Sequence, residues 1–176
     1  MQRKAYRVKG ATLLGWLMVV ALTAGLVSGA AAQVVHFKEL MPILDIKLSG
    51  WEIQDKPSGS TTKSPVQMSE AHVKFRAGDN RSLEIIIVDG VGSTLPYLNM
   101  SQMVEMESSE EYVRPADIQG FKGMETYRIK DKDGEIILNV ANRFLVTIKG
   151  EGLDNTDALK AAGQQLDLKK LAALAK

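Results

Sequence analysis

The chain has 176 residues, of which 22 are basic, 21 are acidic and none is cysteine. The lack of cysteine excludes thiol catalysis, disulfide exchange and thiolate metal sites, and the sequence shows no clustered basic stretch of the kind that binds nucleic acid. A chain of this length is typical of one domain, which buries about two-thirds of its unfolded surface.

The first 32 residues have the three parts of a secretory signal peptide. The first ten carry four basic side chains and no acid: Arg3, Lys4, Arg7 and Lys9. Residues 11–32 are uncharged, largely apolar and end in small residues. We predict cleavage after Ala32, with Ala30 and Ala32 in the shallow pockets of the peptidase and Gln33 as the new first residue. The protein is then periplasmic or secreted.

An uncleaved membrane anchor is the alternative for this segment. Its uncharged run has 22 residues, and roughly 20 are enough to span a bilayer. The last third of the run is mostly Gly, Ser and Ala, which is weakly apolar and favours cleavage. After removal of the signal, the chain would have 18 basic and 21 acidic residues, a formal charge of −3, and no second apolar run that could span a membrane.

The first part of the mature chain predicts a helix and then strands. Apolar residues of 34–44 follow helical spacing, which indicates a short helix that Pro42 ends or kinks. Strands are expected at 51–55, 66–76 and 81–89, the last of them central in a sheet because both of its faces are apolar. The polar segment 56–65, rich in Gly, Pro and Ser, is predicted to be a loop.

The remaining elements are a glycine-rich loop, a helix and a run of hairpins. The helix is expected at 95–106, and an acidic link follows at 107–111. Four consecutive strands are then predicted at 112–118, 123–129, 135–141 and 144–149. The chain ends in helix, with Asp154 or Asn155 as its cap and Asp167 as the cap of a second segment.

These elements together predict an α+β domain over residues 33–176, preceded by the signal peptide at 1–32. Its antiparallel sheet would have about five to six strands. A short N-terminal helix, a middle helix and a C-terminal helix would pack on it. Consecutive hairpins make a parallel βαβ arrangement a poor fit to the pattern.

Three methionines of the predicted middle helix raise the possibility of a copper site. Met100, Met103 and Met106 are spaced by three residues, so one side of a helix would carry them, and thioethers are ligands of Cu(I). His72 could join them only through the fold. The simpler interpretation is that these methionines face the core, where Met fills irregular gaps, and that His72 lies on the polar side of a strand.

Acidic side chains are the remaining candidates for catalysis. A small hydrolase could use Asp117 and Glu125, provided that the two carboxylates converge in one pocket with different pKa values. No zinc-protease, nucleophile-elbow or phosphate-loop motif is found in the chain.

Two stretches resemble a loosely defined group of exported bacterial proteins of unknown function, some of them lipoproteins. They are DIQGFKGMETY at 117–127 and NRFLVTIKGEG at 142–152, followed by LKAA at 159–162 and LDLKKLA at 166–172. The resemblance covers roughly the last 60 residues and rests on a turn, a strand and a closing helix. It implies export and a single domain, and it brings no activity or site residue.

The sequence therefore favours an exported, non-enzymatic domain that binds a small ligand or an envelope protein partner. Copper handling is the first alternative and a small hydrolase the second. We expect no cofactor and no nucleic-acid partner.

Overall fold

The computed structural model describes residues 33–90 and 105–176, which belong to one compact unit. A short helix, α1 (Phe37–Leu40), continues as a 3-10 turn (Met41–Ile43). The strands are β1 (Glu52–Thr62), β2 (Met68–Ala77), β3 (Arg81–Asp89), β4 (Met106–Glu107), β5 (Glu111–Ile118), β6 (Phe121–Arg128), β7 (Asp133–Val140) and β8 (Phe144–Glu151). Two helices close the chain, α2 (Asp157–Gln165) and α3 (Leu168–Ala173). Within these ranges, every helix is too short or too polar to cross a membrane.

The eight strands form one antiparallel sheet in the order β1-β2-β3-β8-β7-β6-β5-β4. It consists of two meanders, β1 to β3 and β4 to β8, joined in the middle by the pairing of β3 with β8. The expected α+β fold with a five- to six-stranded sheet is therefore wrong. The described part of the chain is mainly one eight-stranded sheet with short helices. All seven predicted strand segments belong to this one sheet, β4 is an additional strand, and β1 is longer than predicted.

The first edge strand, β1, begins in the strand predicted at 51–55 and continues into the segment that we predicted to be a loop, residues 56–65. β1 continues to Thr62 and pairs with β2, with two register irregularities near its start. An edge strand tolerates Pro57, because the missing N–H can face away from the neighbouring strand. A Cβ at Gly59 would collide with the backbone of β2 and with Phe37, so the glycine permits a close approach of α1. The polar composition of the segment suits an edge.

The other edge strand lies where a helix was predicted. Met106 begins β4, which pairs over two residues with β5. The predicted middle helix therefore does not extend to Met106, and the predicted link at 107–111 begins and ends in strand. Residues 95–104 of that helix lie outside the described ranges.

One face of the sheet is covered by α1, α2 and α3, and we call it the covered face. The side chains between sheet and helices are fully buried, among them Phe75, Leu83, Ile85, Ile87, Ile136, Leu138, Phe144, Ile148, Leu40, Leu159, Leu168 and Leu171. Helix α2 approaches closely at Gly163, where a Cβ would press on Ile118 and Ile148. The opposite face, which we call the open face, carries none of the described helices.

The ends of the C-terminal helices are defined by side chains. Asp167 accepts a hydrogen bond from the backbone N–H of Lys170 at 2.9 Å, which confirms the predicted cap of α3. The cap position of α2 is Thr156, whose side chain makes no capping hydrogen bond. The side chain of Asn155, one of the two predicted caps, accepts the backbone N–H of Asp157, the first residue of α2, at 2.9 Å.

At the other end of α2, the side-chain amide of Gln119 donates to the carbonyl of Leu166 at 2.7 Å and to that of Gly163 at 3.0 Å. It thus provides a partner for carbonyls at the helix end, where intrahelical partners run out.

Candidate functional site

Glu125 is the centre of a polar cluster on the covered face. It projects from β6 and is 1% exposed. Its carboxylate accepts hydrogen bonds from Arg114 at 2.8 Å and from Tyr112 at 3.0 Å, both on β5. Thr156 also donates to it, and Lys160 Nζ of α2 lies 2.9 Å from its other oxygen. The cluster thus joins the start of α2 to two strands.

The charge of Glu125 is stabilised by these partners. Burial by itself raises the pKa of a carboxyl, but the hydrogen bonds from Arg114, Thr156, Lys160 and Tyr112 outweigh it and lower the pKa of Glu125 from 4.5 to about 2. A general acid needs a raised pKa near the working pH. Glu125 is therefore charged at neutral pH, and its ion pairs link α2 to β5 and β6.

Asp117, the other acid considered for hydrolysis, lies on the opposite face of the sheet. It is three residues beyond Arg114 on β5, so strand alternation points it away from the Glu125 cluster. Its carboxylate accepts from the backbone N–H of Gly120 at 2.9 Å in the β5–β6 turn. The two carboxylates do not converge, and the acid pair that hydrolysis would require is not formed by them.

The residues considered for a copper site are also apart, as far as the structure describes them. His72 lies on β2, where its Nε2 is 3.0 Å from Ser58 and its Nδ1 is 3.7 Å from Glu70. Met106 lies on β4, six strands away across the sheet, or about 29 Å. Met100 and Met103 fall outside the described ranges. Among the described residues, no group of three His, Asp or Glu side chains could hold a metal ion.

A second buried carboxylate, that of Asp89, forms hydrogen bonds at the start of the described chain. Asp89, at the end of β3, is fully buried and accepts from Arg143 at 2.8 Å and from the backbone N–H of Val35 at 2.6 Å. Arg143 also donates to the carbonyl of Gln33 at 2.7 Å. The residue predicted to follow the cleavage site, Gln33, is therefore attached to the sheet. Ala30 and Ala32 lie outside the described ranges.

A surface site of a different kind surrounds Trp51, which lies just before β1. Gly50, at φ 79°, turns the chain after the N-terminal segment. In this turn the backbone N–H of Trp51 donates to the carbonyl of Leu48 at 3.1 Å. The indole is half-buried. The guanidinium of Arg81 lies 5.7 Å from the ring centroid, within the range of a cation–π contact. The indole thus contacts Arg81 and also packs against the edge of the hydrophobic core.

Two open grooves have Trp51 as a common wall. One, of about 620 Å³, is lined by Gly50, Trp51, Glu52, Arg76, Ala77, Gly78 and Asp79. The other, of about 560 Å³, is lined by Lys47, Leu48, Ser49, Trp51, Asp157, Ala158, Ala161 and Gln165. Both combine short apolar surfaces with charged groups of both signs. An aromatic ring between polar walls can bind a molecule that is apolar on one side and polar at its rim.

The chain matches no family model, no curated protein and no solved structure.

The Trp51 site is not predicted by the sequence. The grooves are built from three separate parts of the chain, the segment 47–52, the β2–β3 turn and helix α2. The one available signal was that Trp51 is one of two tryptophans, the other being Trp16 of the predicted signal peptide. A tryptophan before a strand and next to glycine is only weak evidence for an aromatic binding surface.

Proposed function

We propose that this protein is an exported, non-enzymatic binding domain that holds an extended carbohydrate across Trp51. The observation that carries the proposal is the position of Trp51 between two open grooves that each carry charged groups of both signs. Export is inferred from the three-part signal at residues 1–32.

The chemistry of the grooves supports a sugar. A pyranose ring has a face of C–H groups that can stack on an indole, and a rim of hydroxyls that donate and accept hydrogen bonds. Arg76 and Asp79 in one groove, and Lys47, Asp157 and Gln165 in the other, provide partners of both kinds. Two grooves that meet at one ring suit a chain of several sugar units better than a single one.

An enclosed apolar ligand fits less well. Such ligands occupy cavities between elements of the fold, and the side chains between sheet and helices are closely packed in the described part of the chain. The non-enzymatic assignment is supported by the two buried carboxylates, because both are used in ion pairs that hold the fold.

Calorimetric titration with soluble cello-, chito- and malto-oligosaccharides tests the proposal. We expect saturable binding of one class and a loss of affinity of at least about tenfold, or 1.4 kcal/mol, in Trp51→Ala. If the signal is cleaved, Trp51 is the only tryptophan left, so its fluorescence should also change on binding.

Phe121→Ala is the matched control, since Phe121 is also a half-buried aromatic residue at the surface but lies at the β5–β6 turn. It should bind as the unaltered protein does. Equal affinities of Trp51→Ala and Phe121→Ala, or the absence of binding to all three classes, would reject the site.

Export is tested separately by the intact mass of the protein recovered from the periplasm or medium of cells that express the full chain. A mass that matches residues 33–176 is expected. The full-length mass in the membrane fraction would instead support the anchor.

A further inference from the structure

The open face of the sheet carries an apolar strip in its central strands. Its members are Ile86 and Val88 of β3, Leu145 of β8, Ile137 of β7 and Met124 of β6. All are half-buried. The register places Val88 beside Leu145, and Ile86, Thr147, Ile137 and Met124 in one row across four strands. The described helices all pack on the other face, so none of them covers this strip.

A row of alternating charges runs beside the apolar strip. Lys74 of β2, Glu84 of β3, Lys149 of β8 and Glu135 of β7 are consecutive partners across the sheet, and we call them the charge ladder. Lys74 and Glu84 are 3.7 Å apart, and Lys149 and Glu135 are 3.5 Å apart. Their side chains are 31% to 52% exposed, so each retains capacity for another partner.

The order of these charges is complementary to itself. A two-fold axis that lies along the strands, above the boundary between β3 and β8, exchanges β2 with β7 and β3 with β8. It would bring Lys74 of one copy opposite Glu135 of the other, and Glu84 opposite Lys149. The same rotation would bring Val88 opposite Leu145. A C2 interface requires a surface that is complementary to itself in this way.

The size of the face is sufficient for a stable interface. The two-fold axis overlaps six strands of each copy, β1 to β3 on β6 to β8. At about 4.8 Å between strands and about nine residues of about 3.3 Å each, these six strands give a face of roughly 850 Å². A standard interface buries about 800 Å² on each partner. Two such faces would pack about 10 Å apart with nearly aligned strands, a distance that the long side chains of the charge ladder can bridge at the rim of the apolar strip.

We propose that the open face is a homodimer interface, in which two copies of this chain pack sheet to sheet about a two-fold axis along the strands. The occupant is a second copy because the charge ladder complements itself. The proposal is independent of the Trp51 site.

The test uses two variants of the full chain with charge ladders of one sign. Glu84→Lys with Glu135→Lys makes four cations, and Lys74→Glu with Lys149→Glu makes four anions. We expect the unaltered protein to sediment as a dimer at up to about 100 µM, each variant alone to sediment as a monomer, and an equal mixture of the two to form a heterodimer. Charges that act only within one chain would give no association on mixing.

Lys130→Glu with Lys169→Glu is the control variant, because both lysines are exposed and lie outside the charge ladder. It should remain a dimer. Circular dichroism must first show that all three variants are folded. If the like-charged variants do not fold, a photo-crosslinking residue at position 137 replaces them, and we expect it to join two chains.

Four results would overturn the proposal. The unaltered protein could be monomeric over the whole concentration range, or its dimer could persist in both like-charged variants. The mixture of the folded variants could fail to associate. The crosslink from position 137 could form within one chain, to residues 91–104, or to a different protein, which would identify another occupant of the open face.

Discussion

Both faces of the sheet carry ion pairs, but the ion pairs of the two faces differ in length and in burial. On the covered face, Glu125 and Asp89 are almost fully buried, and each binds its cation at 2.8 Å. On the open face, the ion pairs of the charge ladder are 3.5 to 3.7 Å long and remain partly exposed. Burial explains the difference in ion-pair length. A buried charge has lost its water and must contact its partner directly, whereas an exposed charge can remain hydrated.

Adjacent residues of β3 show the same contrast for apolar side chains. Ile85 points to the covered face and is fully buried, whereas Ile86 points to the open face and is half-buried. Both positions hold isoleucine, so only the environment of each side chain determines how much that side chain contributes to stability.

The largest expected effect comes from breaking a buried ion pair. Arg143→Met leaves Asp89 charged and buried without its cation, and should lower the free energy of unfolding by about 3–5 kcal/mol. Lys149→Met, which breaks an exposed pair on the open face, should lower it by less than about 1 kcal/mol. Urea unfolding of both variants, at a protein concentration at which each sediments as a monomer, measures the difference. Equal losses would mean that burial does not distinguish the two faces.

The next effect is the pH dependence that Glu125 contributes. The pKa of Glu125 is 4.5 unfolded and about 2 folded, so protonation favours the unfolded state. Its stabilisation is complete above pH 4.5 and is lost as the pH falls toward 2, by about 3 kcal/mol in total.

Glu125→Gln isolates this contribution. The variant should be less stable at pH 7, yet lose less stability than the unaltered protein when both are acidified from pH 5 to pH 2. Thermal unfolding at a series of pH values gives both profiles. Parallel profiles would show that another carboxylate is responsible for the acid sensitivity.

The paired isoleucines of β3 give a smaller and more controlled comparison. Ile85→Ala creates a cavity in the covered face, and we expect it to cost about 2 kcal/mol more than Ile86→Ala. Chemical denaturation of the variants in the Glu84→Lys, Glu135→Lys background, which we expect to be monomeric, provides the test, with Ile87→Ala as a second covered position. The monomeric background is needed because a sheet-to-sheet dimer would bury Ile86. The comparison fails if Ile86→Ala is as costly as either neighbour.

The smallest effect concerns a turn that neither face covers. Ala141 has φ 55° in the β7–β8 turn, a conformation that glycine adopts without the steric cost of a Cβ. Ala141→Gly should therefore stabilise the protein by about 0.5–1 kcal/mol. Ala161→Gly, on the exposed side of α2, should destabilise it by about 1 kcal/mol. A loss of stability in both variants would show that the turn is not strained.

The second half of the sheet was predictable because its strands are marked by turns. β5 to β8 differ from the predicted ranges by at most two residues at each end, since alternating side chains and short turns define a hairpin locally. The edge strands were not predictable in this way. β1 contains Pro57 and Gly59, which usually mark loops, and β4 has two residues. Their strand conformation depends on the neighbours with which they pair.

For the candidate sites too, the sequence shows the residue types, whereas their arrangement depends on the fold. Glu125 and Asp117 are both recognisable as acids in the sequence, but only the register of β5 and β6 reveals that they lie on opposite faces. Trp51 is visible as a rare residue, but its grooves depend on the approach of the β2–β3 turn and of α2.

The sequence by itself determined the hairpins of the second meander, the cap of α3 at Asp167 and the absence of thiol chemistry, because each depends on neighbouring residues or on composition. It also predicts the signal peptide, which stays a prediction. Only the tertiary structure decided the eight-stranded sheet, the ion pairs of Glu125 and Asp89, and the two grooves at Trp51. These depend on contacts between residues that are distant in the chain, and local patterns of polarity do not encode which distant segments will meet.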